Sequence, residues 1–235
     1  MATYGVGLSS TGLRPQTLSR TKLLEALSWG CFVFAAQAVN APISSFSSAH
    51  LVGGVLLAGI LGPALGAWTM AIVLTLQVLL LGDGGWLALG ANIINMALLP
   101  AVAVQGLALL SPRGQKSASP LAMGILSAVA VPLAALLICG EVALFRSPAQ
   151  LLGWQAFVTP MLGYHCLVGL LEAAITVGCV VLARPADLPV RGLRSAWAPW
   201  ALAALLLCLA PVASSLPDIY EAASAAAGHR EWLAP

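Results

Sequence analysis

Long apolar runs, each closed by charges or turn residues, repeat along the chain. They are Leu23–Ala41, Pro63–Leu81, Trp86–Leu110, Leu121–Phe145, Pro160–Ala183 and Ala196–Leu216. A helix that crosses the hydrocarbon of a bilayer needs about 20 predominantly apolar residues, which is the length of these runs. The segment Leu51–Leu61 is equally apolar but too short to cross upright, so hydropathy alone makes it re-entrant or strongly tilted. Gly62-Pro63 ends it, because proline carries no N–H and disfavours a helical residue before it. The pattern predicts an all-α fold, a polytopic transmembrane helix bundle.

Composition narrows the class further. The chain is 60% hydrophobic and 8% charged, with a mean hydropathy of +0.96, where a soluble domain carries about 25% charged residues. A net charge of +2 gives no reason to expect nucleic acid as a partner. No P-loop, HExxH or GxSxG pattern occurs, so the residues do not suggest an enzyme, and this chain would not hydrolyse ATP in the Walker manner. All five cysteines fall inside apolar runs without CxxC spacing and read as small packing residues. The first twenty-two residues are rich in Ser, Thr, Gly and Arg and have no apolar core, so they read as a flexible cytoplasmic extension and not as a secretory signal.

The basic residues set the sidedness. Arg14, Arg20 and Lys22 precede the first run, Arg113 and Lys116 lie in the loop Ser111–Pro120, and Arg184, Arg191 and Arg194 lie in the loop Ala183–Ser195. Together they are eight of the ten Lys and Arg residues, and the positive-inside rule places all three regions in the cytoplasm. His50, His165 and the tail with Asp218 and Glu221 then share the outer side. Asp83 joins them only if Leu51–Leu61 and Pro63–Leu81 both cross.

The polar interruptions carry the candidate chemistry. His50 stands after a small-residue collar, Ser44-Ser45-Phe46-Ser47-Ser48-Ala49, at the mouth of a long apolar stretch. Further on come Gly82-Asp83-Gly84-Gly85 and the pair Asn92 and Asn95. Ionisable and amide groups near hydrocarbon are costly and commonly functional, and imidazole is the commonest metal ligand. A small polar guest such as a metal ion is one reading of His50; an interfacial histidine bonded to a serine or water is the other. His165 and Glu172 are seven apart, about two turns along one helix face. Glu172 lies deep in its run, so it must find a donor, and an interhelical hydrogen bond that fixes packing is an equal reading. Glu141 reads as an interfacial charge beside Arg146. Gln37, Asn40, Asn92 and Asn95 read by default as amide bridges between helices, each worth roughly 0.6 kcal/mol. Gly62 and Gly66 have GxxxG spacing, and Ala58 and Gly62 the small-xxx-small form, which permit close helix approach within the bundle or to a partner.

Four segments together resemble the CbiM/NikM family, the substrate-binding membrane subunit of cobalt and nickel energy-coupling-factor transporters. They are Phe32–Asn40, His50-Leu51-Val52-Gly53-Gly54 running on to Leu61-Gly62-Pro63, Gly82-Asp83-Gly84-Gly85 with Leu89–Ala97, and Tyr164-His165-Cys166-Leu167-Val168-Gly169 with Glu172-Ala173. The resemblance covers roughly residues 23–190. Beyond it, Pro217-Asp218-Ile219-Tyr220-Glu221 partly matches the end of a small accessory subunit often fused to this one.

The resemblance implies capture of Ni²⁺ or Co²⁺ on the outer face of the bacterial inner membrane by a multi-pass protein with no other cofactor. A transmembrane scaffold subunit and cytoplasmic ATPase subunits would then drive the ion inward. It also implies that Leu51–Leu61 crosses, for about seven helices in all, with Asp83 on the outer side. The family's ion sits among planar nitrogen ligands, an arrangement suited to Ni²⁺. They come from an opening Met-His and from the histidine matching His50. This chain opens Met1-Ala2-Thr3-Tyr4, and no apolar segment corresponding to the family's first helix precedes Arg14. On that basis His50 is the leading metal ligand and His165 the second, with Gln37, Asn40, Asp83 and Asn92 as pocket groups. The expected organisation is a flexible segment 1–22, a metal-capture transmembrane domain 23–195, and a C-terminal helix and tail 196–235. The alternative is a membrane scaffold or assembly protein that keeps the fold and has lost metal capture.

Overall fold

The computed structural model describes residues 19–42, 48–82, 85–110, 119–145, 153–183, 199–205 and 218–228. The described chain is a helical bundle with one two-residue antiparallel bridge. Helix α1 is Arg20–Gln37, α2 is Gly54–Leu61, α3 is Pro63–Leu81 and α4 is Leu89–Leu110. Helix α5 is Pro120–Phe145, α6 is Trp154–Ala183, α7 comprises residues 199–205 and α8 is Ile219–Ala226. Among the described residues, α3, α4, α5 and α6 are long and apolar enough to cross a membrane.

Local chemistry sets the boundaries. Ser19 caps α1 by accepting from the N–H of Lys22. Pro63 opens α3, where its missing N–H costs nothing, and Gly82 closes it in the left-handed conformation. Helix α6 starts six residues earlier than its apolar run, at Trp154, and carries Pro160 inside. Trp154 and Phe157 stack at 5.4 Å between ring centroids, and Phe157 is fully buried. Packing therefore extends the helix past the point where proline favours a stop.

Helix α4 contains a π-helical turn, Ile93–Leu98. Pro100, two residues later, has no N–H to offer the carbonyl of Met96 and its ring would collide with it. The wider turn relieves that conflict, and the Met96 carbonyl faces Gly54 of α2. Any side chain at Gly54 would run into this carbonyl and into the Pro100 ring, 2.7 Å from where a Cβ would stand. The glycine is thus required by close approach of α2 to α4.

The segment that hydropathy made tilted or re-entrant, and the resemblance a crossing helix, has a particular solution. Helix α2 has eight residues, about 12 Å at 1.5 Å per residue, which is under half of a hydrocarbon core of about 30 Å. Its Gly59 meets Met123 near the start of α5, while Gly53, just before it, hydrogen-bonds Glu172 of α6. The half-helix therefore starts partway along the bundle and is entered through the non-helical residues 48–53. Gly62 then reverses the chain, and Gly66 of α3 packs on the backbone of Ala58. The small residues of this stretch serve contacts inside the bundle.

Two apolar clusters organise it. One is the main core, running from Phe34, Leu51 and Leu89 to Leu107, Met123 and Val180. The other joins Ala49, Val52, Cys139, Phe157, Met161 and the α8 residues Ile219 and Ala223. The His50 segment, the His165 part of α6 and the last helix thus share one end.

Candidate functional site

The region around His50 is built on the break between the bridge and α2. The bridge pairs Ala41 with Ala49 and Pro42 with Ser48, a register that brings Asn40 opposite His50. After His50 the chain has no regular structure at Leu51 and Val52, then turns at Gly53 with φ 76 to start α2. A half-helix beginning inside a membrane leaves backbone N–H groups with neither water nor a preceding turn to satisfy them. Glu172 meets that need. Its carboxylate accepts from the N–H of Val52 at 2.8 Å and of Gly53 at 2.6 Å. A carboxylate at a helix N-terminus also complements the helix dipole. Gln37 completes the hold by donating from Nε2 to the Val52 carbonyl at 2.7 Å. Glu172 and Gln37 are both 2% exposed. Residues 52 and 53 are therefore fastened to α1 and α6 by three hydrogen bonds from buried side chains.

The two histidines are oriented by similar means. His50 Nδ1 lies 3.0 Å from the Leu51 carbonyl, and His165 Nδ1 lies 2.6 Å from the Met161 carbonyl. A carbonyl only accepts, so a hydrogen bond in these contacts needs the proton on Nδ1, which in the neutral ring leaves the Nε2 lone pair free. His165 is within electrostatic reach of both His50 and Asp218. Asp218 caps α8 and forms a reciprocal capping box with Glu221. Tyr220 of that helix packs edge-on against Phe157 of α6, with ring centroids 5.7 Å apart.

The sequence-predicted residues separate into groups. Gln37, Asn40 and His50 come together at the broken segment, with His165 nearby on α6. Asn92 is half-buried at the start of the π-helical turn and takes no part in holding residues 50–53. Asp83 lies outside the described residues. Glu141 accepts from Asn95 Nδ2 at 3.2 and 3.3 Å, and the Arg146 expected beside it lies outside the described residues. Asn95 is 1% exposed, and its Oδ1 is a buried acceptor without a partner. Asn95 and Glu172 line a cavity of about 10 Å³ beside Val52 and Gly54, the size of a single water site. Glu172 was legible as a costly carboxylate; that its donors are backbone groups of the segment after His50 was not. Among the described residues, no three His, Cys, Asp or Glu side chains converge closely enough to hold a metal ion.

A helical, multi-pass bundle in which the short helix α2 begins inside the bundle, off an unwound segment with polar partners, is built as membrane transport proteins are. The chain belongs to the CbiM family: the family described as "Cobalt uptake substrate-specific transmembrane region" matches residues 1–187. It is similar to a putative metal transport protein of Haloquadratum walsbyi, 37% identical over 169 residues, covering 71% of this chain and 74% of that one. A putative fused nickel transport protein, NikMN, of Archaeoglobus fulgidus is 40% identical over 150 residues, which are 63% of this chain and 48% of that one. The chain thus spans about half the length of this fused relative. A crystal structure of a truncated transition metal transporter superposes with a TM-score of 0.55 at 27% identity, covering 70% of this chain and 81% of that one. The protein is a multi-pass membrane member of a cobalt and nickel uptake family.

Proposed function

We propose that this protein is the substrate-capture component of an energy-coupling-factor transporter for Ni²⁺ or Co²⁺ in a bacterial inner membrane. In this reading a transmembrane scaffold subunit and cytoplasmic ATPase subunits are its partners, and the ion is cargo. The fused nickel transport relatives and the absence of a P-loop in the chain support that division of labour. Its organisation follows as a metal-capture domain over residues 23–195, preceded by the segment 1–22 and followed by the C-terminal helix and tail 196–235.

The observation that carries the metal reading is the shared setting of His50 and His165. Both belong to one end of the bundle, and both have Nδ1 engaged by a backbone carbonyl, which turns Nε2 into the ligating atom. Metal-binding histidines are held in this way, because the partner at the far nitrogen fixes tautomer and ring direction. Imidazole nitrogen suits both Ni²⁺ and Co²⁺. Two imidazoles leave coordination positions for water and for groups outside the described residues, with Asp83 a candidate. Gln37 and Asn40 shape the pocket around the first ligand, and Asn92 is the most remote of the proposed pocket groups.

Isothermal titration of the purified chain with Ni²⁺ and with Co²⁺, beside His50→Ala, tests this. Saturable binding that the substitution abolishes is the expected result. An intact chain that binds neither ion would sink the capture reading and favour the scaffold alternative.

A further inference from the structure

The hydrogen bonds around residues 50–53 form a connected chain that runs through the backbone itself. The peptide group between Leu51 and Val52 is engaged on both sides. Its carbonyl is the acceptor 3.0 Å from His50 Nδ1, and its N–H donates to Glu172 Oε2 at 2.8 Å. The next peptide, between Val52 and Gly53, repeats the arrangement: its carbonyl accepts from Gln37 at 2.7 Å and its N–H donates to Glu172 Oε1 at 2.6 Å. Each oxygen of one buried carboxylate thus takes one peptide, and each peptide passes its carbonyl to a side-chain donor.

From this we infer that Glu172 is the positioning residue for His50, acting through the 51–52 peptide to fix the imidazole as its Nδ1–H tautomer with Nε2 outward. Metal-ligating histidines commonly donate their second N–H to a carboxylate or a backbone carbonyl. Here both are present in series, the carboxylate polarising the amide whose carbonyl holds the ring. Hydrogen-bonded groups in line strengthen one another in a medium of low dielectric, so withdrawing the carboxylate loosens the carbonyl's hold on the imidazole. The amide plane transmits direction as well, because its rigidity couples the placement of the Val52 N–H to that of the Leu51 carbonyl. His165 has its own carbonyl, that of Met161 four residues back in the same helix, and needs no such support. The relevance to metal capture rests on the proposed function above; the tautomer control does not.

The test uses the full chain in detergent, metal-free, with ¹⁵N-labelled histidine. His50, His165 and His229 are the three histidines to be assigned. In the intact protein His50 is expected as the Nδ1–H tautomer. In Glu172→Gln it should shift towards a mixture with Nε2–H, because an amide presents an acceptor to only one of the two peptide N–H groups. His165 should stay unchanged and so report an intact bundle. Glu172→Asp, which withdraws the carboxylate by one methylene and keeps its charge, serves if the amide variant does not fold, with the same shift expected. A His50 tautomer unaltered in a folded variant overturns the inference. In the Ni²⁺ titration of the same samples, affinity should fall by about 10–100-fold at unchanged stoichiometry, and undiminished affinity would overturn the bearing of Glu172 on metal capture. If the intact chain binds no Ni²⁺, the capture reading fails alone and the tautomer spectrum still decides the role of Glu172.

Discussion

Glu172 and Glu141 both turn a carboxylate toward the inside of an apolar bundle, yet they are held in different ways. Glu172 accepts from two consecutive backbone N–H groups at 2.8 and 2.6 Å. Glu141 accepts from a single amide nitrogen of Asn95, shared between its oxygens at 3.2 and 3.3 Å. The difference lies in what each donor could do otherwise. The backbone of a broken helix has donors that must be satisfied and that cannot rotate away. An asparagine side chain can turn and find another partner. A carboxylate fastened to backbone therefore fixes the path of the chain, while one paired with a side chain adds only an adjustable link between α4 and α5.

Glu172→Ala should break this contrast most severely. It leaves two buried N–H groups unsatisfied, at about 1–3 kcal/mol each, so a loss of around 3 kcal/mol or more is expected as a lowered unfolding midpoint in detergent. Gly53→Ala comes next. It forces a side chain into the left-handed region, at about 1–2 kcal/mol, and brings its Cβ to 2.8 Å from Val33 Cγ1. Denaturant titration should show destabilisation, and the double variant with Glu172→Ala should lose less than the sum, because both disturb one set of hydrogen bonds. Glu141→Gln is expected to be the mildest. Its carbonyl still accepts from Asn95, so the change should stay within the roughly 0.6 kcal/mol typical of a side-chain bridge between membrane helices. An effect of Glu141→Gln as large as that of Glu172→Ala would show that backbone fastening is not what separates the two sites.

Parts of this arrangement were readable before any coordinates. Apolar runs and proline positions located the long helices to within a few residues at most ends, since the need to keep backbone bonds inside each spanning segment ties hydropathy to helix. The start of helix α6 escaped, because its first six residues are held by aromatic packing of Trp154, Phe157 and Tyr220 that no local pattern announces. The π-helical turn escaped as well. Pro100 signalled a disturbance, but where its consequence fell depended on Gly54 approaching from another helix. The amide that Glu141 meets, 46 residues distant in sequence, was not announced by its own segment either.

Alternation of apolar runs with charged loops determined that this chain enters a bilayer, and roughly how often, because hydrocarbon excludes charge whatever the packing. The motifs around His50, His165 and Glu172 determined the family. Which donors Glu172 found was decided only in three dimensions. The half-helix α2 has unsatisfied N–H groups at its start, and the carboxylate that meets them comes from about 120 residues further along the chain. Such a pairing depends on how helices are placed against one another, and no spacing along a single segment encodes it.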